Sequence, residues 1–102
     1  MELIDIIYRR HQGMNIYEIA YMDEIRYTET PIKRTFAQIA ILTRFVDQSK
    51  QQHAYENLAK AIEVFGHHQD TNLSELSEEV LKHFFEYMTP IVSSLKQALN
   101  NS

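Results

Sequence analysis

Two glutamate–histidine pairs, Glu63 with His67 and Glu79 with His83, are spaced four residues apart, and His67 and His68 stand beside Asp70. Residues four apart share a helix face, so two such helices could in principle present carboxylates and imidazoles to one metal ion. The carboxylate sites of four-helix proteins use Glu-x-x-His at a spacing of three, with further glutamates from other helices. Neither pair has that spacing, and Gly66 is expected to end its helix before His67. The pairs therefore read as surface contacts worth a few tenths of a kcal/mol each. No metal and no cofactor are expected.

Other catalytic patterns are missing from the sequence. With two glycines, Gly13 and Gly66, there is no glycine-rich phosphate loop and no Gly-x-Ser-x-Gly elbow. No cysteine is present to act as nucleophile or thiolate ligand. The adjacent acids Asp23-Glu24 and Glu78-Glu79 would point about 100° apart on a helix, so they do not pair for acid–base work. The sequence reads as non-enzymatic, with no small-molecule substrate evident.

The elements around these residues are marked by sparse punctuation. Gly13, Pro31 and Gly66 stand where helices would stop or start, and Pro90 is the remaining proline. Apolar spacing predicts a first helix over residues 2–12, from Leu3, Ile6 and Ile7. A second is predicted from about Ile16 to Tyr27, capped by Asn15 with Glu18. Thr30 as cap and Pro31 as first helical residue open a third, with Ile32, Phe36, Ile39, Leu42 and Val46 as its stripe. The pattern lapses over residues 47–52, which predicts a break or bend with Asp47 or Ser49 as a fresh cap. Tyr55, Leu58, Ile62 and Phe65 then restart the stripe as far as Gly66.

After a loop over residues 67–71, Asn72 with Glu75 forms a cap pair. Leu76, Val80, Phe84, Met88, Ile91, Leu95 and Leu99 follow at steps of three and four. That stripe passes through Pro90, which predicts one bent helix or two in near-continuation. No alternating apolar pattern supports a strand. The expectation is all-α: a single domain over 1–102, a small bundle of four to five helices, the last one long with a kink at Pro90. Its N-terminal part spans 1–46 and its C-terminal helices 47–99.

At 102 residues and 44% hydrophobic, the chain can bury a small core, and dimerisation would add to it. The acidic start Met1-Glu2-Leu3-Ile4-Asp5, the absence of cysteine and the lack of a ~20-residue apolar run predict a soluble cytoplasmic protein that does not cross a membrane. The net charge of −4 is uneven. Residues 1–50 hold seven bases (Arg9, Arg10, Arg26, Lys33, Arg34, Arg44 and Lys50), all five arginines among them, against seven acids. Residues 51–102 hold three lysines against seven acids. An anion-binding surface would come from the first half, because arginine suits bidentate contact with phosphate or carboxylate.

Tyr8, Tyr17, Tyr21 and Tyr27 crowd the first quarter of the chain. Tyrosine buries a broad ring and keeps a polar tip, so these four are the candidate protein interface. The stretch Ile16-Tyr-Glu-Ile-Ala20, followed by Thr30-Pro-Ile-Lys-Arg34, resembles a helix-turn-helix DNA reader over residues 3–42. That resemblance makes the helix after Pro31 the recognition helix. It implies that Thr28, Thr30, Lys33 and Arg34 are offered to nucleic acid, and that the C-terminal helices dimerise. The family's small turn residue is missing here: the turn reads Met22-Asp23-Glu24-Ile25-Arg26-Tyr27, with two acids where phosphate would lie. A small regulatory module that binds a protein partner, or a second copy of itself, is therefore the first reading. A DNA-binding regulator is the alternative.

Overall fold

The structure is a computed structural model that describes residues 30–100. The two helices expected over 2–12 and 16–27 lie outside the described residues, as do Tyr8, Tyr17, Tyr21, Tyr27 and Thr28. What is described is all-helical, without strands: three α-helices, α1 (Pro31–Thr43), α2 (Gln48–Phe65) and α3 (Glu78–Asn100). Single 3₁₀ turns over Gly66–His68 and Leu73–Glu75 lie between α2 and α3. No helix among the described residues is long and apolar enough to cross a membrane.

α1 starts at Pro31, whose fixed φ suits a first helical residue. Thr30 precedes it without a side-chain capping bond, contrary to its expected role. Ile32, Phe36 and Ile39 face inward as the spacing predicts, and Val46 is buried just beyond the helix end. Thr35 and Thr43 share that buried side. Each hydroxyl donates to the carbonyl four residues back, Thr35 to Pro31 at 2.8 Å and Thr43 to Ile39 at 2.7 Å, so both are buried with their polar atom satisfied.

The chain breaks at residues 44–47. Three amides in succession, of Arg44, Phe45 and Val46, donate to carbonyls three residues back. Asp47 stands at the N-cap of α2 but makes no capping bond. Gln51 closes the turn instead: its Nε2 donates to the carbonyls of Arg44 at 3.3 Å and Val46 at 3.0 Å. Arg44 is the C-cap of α1 and Val46 lies in the turn beyond it, so this one amide bridges the helix end and the turn.

α2 packs through Leu58, Ala61 and Phe65. Tyr55 and Ile62, expected on its inner stripe, are 41% and 42% exposed and lie on its outer side. Gly66 ends α2 as expected, but with φ −60° and ψ −28°, ordinary right-handed values. The chain leaves the helix by tightening into a 3₁₀ turn, and no left-handed residue is needed.

The expected cap pair of Asn72 and Glu75 belongs to the short turn Leu73–Glu75, and Asn72 makes no side-chain capping bond. Ser77 caps α3, its Oγ accepting from the Val80 amide at 3.2 Å. Glu78 and Glu79 follow in the first turn, where the helix dipole favours acids. Leu76 is buried in extended conformation before the helix begins. α3 then runs through Pro90 as one helix. Pro90 and Glu86 are both exposed residues, and Pro90 has no amide to give the Glu86 carbonyl. Thr89 donates its hydroxyl to the Phe85 carbonyl at 2.6 Å one position earlier. α3 buries a wider face than expected, with Phe85 and Val92 beside Phe84, Met88 and Leu95.

Phe84 is 1% exposed and meets Phe36 of α1 and Phe65 of α2 edge-on. Replacing it, Phe84→Ala, is expected to cost about 3–5 kcal/mol of unfolding free energy in a denaturant titration followed by circular dichroism. In the same assay Ser77→Ala is expected to cost ~1 kcal/mol and Asn72→Ala nothing measurable. The reverse order would place the cap of α3 at Asn72.

Candidate interaction surface

The inward face of α1 determines what its outward face must carry. Positions 34, 37, 41 and 45 follow one another at steps of three and four on the side away from Ile32, Phe36 and Ile39. They hold Arg34, Ala37, Ile41 and Phe45, all exposed, with Arg44 beside Phe45. Ile41 is 53% exposed and Phe45 71%. Scattered single apolar residues on a surface need no explanation, whereas an isoleucine and a phenylalanine one turn apart form a patch. No acid occurs in α1; Phe45 lies in the turn just beyond its end, beside Arg44 and two residues before the exposed Asp47.

Of the residues assigned to nucleic-acid contact, the structure brings Thr30, Lys33 and Arg34 together on the first turn of α1. Thr30 is half-buried, and its carbonyl accepts from the Arg34 amide at 3.0 Å. Lys33 and Arg34 are exposed. The Lys33 ammonium lies 3.3 Å from an Asp70 carboxylate oxygen, which ties the start of α1 to the loop after α2. Thr28 and the four tyrosines of the expected protein interface lie outside the described residues, so that surface is not placed.

The histidines gather only in part. The His67 and His68 rings lie close together, centroids 4.0 Å apart and tilted by 44°. Both line a shallow cleft of about 380 Å³ with His83, over a floor that includes Phe65 and Tyr87. His83 Nε2 lies 3.7 Å from Glu79 Oε1, and both side chains are mostly exposed. Such a pair is screened by water and contributes little. Among the described residues no three histidine or acidic side chains are placed so that they could hold one metal ion.

Sequence reasoning missed Ile41 and Phe45. Their signal was present: neither fits the stripe through Ile32, Phe36, Ile39 and Leu42, and they share a register of their own. Compared with protein-family models, curated proteins and solved structures, the chain matches none.

If Ile41 and Phe45 serve docking and not folding, Ile41→Ser and Phe45→Ser should each change stability by no more than about 0.5 kcal/mol. Ile39→Ser, two residues away and 1% exposed, should cost several times that amount. Lys33→Ala should cost at most about 1 kcal/mol, because its ion pair is exposed. Thermal and denaturant melts of the four variants would check this ranking.

Proposed function

We propose that this chain is a small helical interaction module, without catalysis, that binds an acidic, apolar segment of a partner protein through the outer face of α1. The observation that carries the reading is the exposure of Ile41 on the acid-free helix α1 and of Phe45 in the turn that follows it, with the exposed Arg44 beside them. Aromatic and arginine side chains concentrate binding energy at protein interfaces. Burying the remaining surface of two such apolar side chains contributes on the order of 1–3 kcal/mol each. The Arg44 guanidinium favours carboxylates and steers their approach.

A second copy of the chain is a poorer occupant of this face. In a two-fold arrangement the same patch meets itself, so Arg34 and Arg44 of one copy would approach those of the other. Like charges across an interface disfavour that pairing. A nucleic-acid reading draws on the same acid-free helix and on Thr30, Lys33 and Arg34. Against it, Lys33 already engages Asp70, and the face beyond the first turn is apolar where groove readers carry polar side chains.

The test pairs two baits, the unaltered chain and Ile41→Ser/Phe45→Ser, in affinity enrichment from the source cells. A partner protein with an acidic, apolar segment should be retained by the first and lost by the second, with binding that weakens modestly as salt rises. Equal retention by both baits removes the α1 face. Retardation of random duplex DNA at low salt, abolished by Lys33→Ala/Arg34→Ala, would establish the nucleic-acid alternative instead.

A further inference from the structure

The closing turn between α1 and α2 leaves a cavity on the inner side of α1. It lies where the end of α1, the first half of α2 and the second half of α3 converge, and its volume is about 210 Å³. Ile39, Val46 and Leu95 are 1%, 4% and 4% exposed and form its floor. Ala54 of α2 and Ala98 of α3 line its walls, and the space exists because neither position carries a longer side chain. Lys50 and His53 are exposed at its mouth. The Asn57 amide nitrogen, 3.4 Å from His53 Nε2, holds that imidazole in place. Among the described residues no acid lines the cavity.

We propose that this cavity binds a medium-chain monocarboxylate, its alkyl chain on the Ile39–Val46–Leu95 floor and its carboxylate at Lys50 and His53. Size sets the chain length. Taking a methylene as about the volume of one liquid water, ~30 Å³, the space holds roughly seven carbons. Nucleotides and most cofactors need clefts of about 300–1,000 Å³ and are too large. The charge pattern sets the head group: a lysine ammonium and an imidazole at the mouth, with no acid among the described lining residues, above an apolar floor favour one anionic end on an otherwise apolar ligand. This site is separate from the outer face of α1 and does not depend on the reading given to that face.

The experiment is a titration of the full-length, isotope-labelled chain with octanoate, read by amide chemical shifts at neutral pH. Saturable shifts are expected at Ala54, Leu95 and Ala98, with affinity falling about fourfold for each methylene removed from the ligand. Lys50→Met should weaken octanoate by about two- to fivefold and leave 1-octanol unchanged. Ala98→Leu should fill the space and abolish the shifts while retaining the helical circular dichroism, and Ala54→Leu provides a second filling variant if the first does not fold. Shifts that never saturate, that centre on Ile41 and Phe45, or that survive filling overturn the site. Equal response of the unaltered chain and Lys50→Met to octanoate overturns the assignment of the head group.

Discussion

Phe84 touches both other helices at once. Its ring lies 6.2 Å from that of Phe36 and 5.3 Å from that of Phe65, at interplanar angles of 70° and 84°. Edge-to-face contact places the positive rim of one ring on the negative face of another, and it holds the rings in a preferred relative orientation, which plain apolar contact does not. Tyr87 extends the group through Phe65 at 5.5 Å. With one aromatic side chain from each helix meeting at one point, the azimuth of every helix is constrained. Which residues face inward, and therefore which are left for other uses, follows from that meeting.

The other end of the bundle is held by different means. There the chain turns within four residues, and the Gln51 amide donates to the carbonyls of the C-cap residue Arg44 and of Val46 in the turn. A glutamine does what a left-handed glycine does at many helix ends, and it leaves the backbone in ordinary conformations. Alanines line the space next to this turn. At the far end Phe84 itself is 1% exposed, while Phe65 and Tyr87 border the shallow cleft beside the histidines.

Helix existence was legible in the sequence wherever a strong local signal had no competitor. Pro31 opens a helix because its ring allows little else, and Gly66 closes one. The break after Val46 showed as a lapse in apolar spacing. Errors arose where two readings shared residues. On α2 the stripes through Tyr55 and Ile62, and through Ala54 and Ala61, both contain Leu58 and Phe65. Alanine adds little apolar weight to a pattern, yet its small size is what lets helices approach. At α3 only Asn72 was read as a cap and Ser77 was passed over; Leu76, buried in extended conformation, delays the helix by several residues. The basic first turn of α1 was readable in Lys33 and Arg34. The apolar outer face was not, because a reading that assigns every isoleucine and phenylalanine to the core has no place for an exposed one.

The charge distribution separates α1 from the remainder of the bundle. Every acid among the described residues, from Asp47 to Glu86, lies beyond the end of α1. Were an acidic segment to dock as proposed, it would meet on α1 the described helix that carries no carboxylate. The geometry of α1 also keeps its two sides apart. Ile39 forms part of the cavity floor and Ile41 part of the outer face, and a separation of two residues on a helix turns the side chain by about 200°. A molecule in the cavity and a protein on the outer face, as proposed, would thus touch opposite sides of one helix. Coupling between them would have to pass through displacement of α1 as a body, and the Phe36–Phe84 contact resists that displacement.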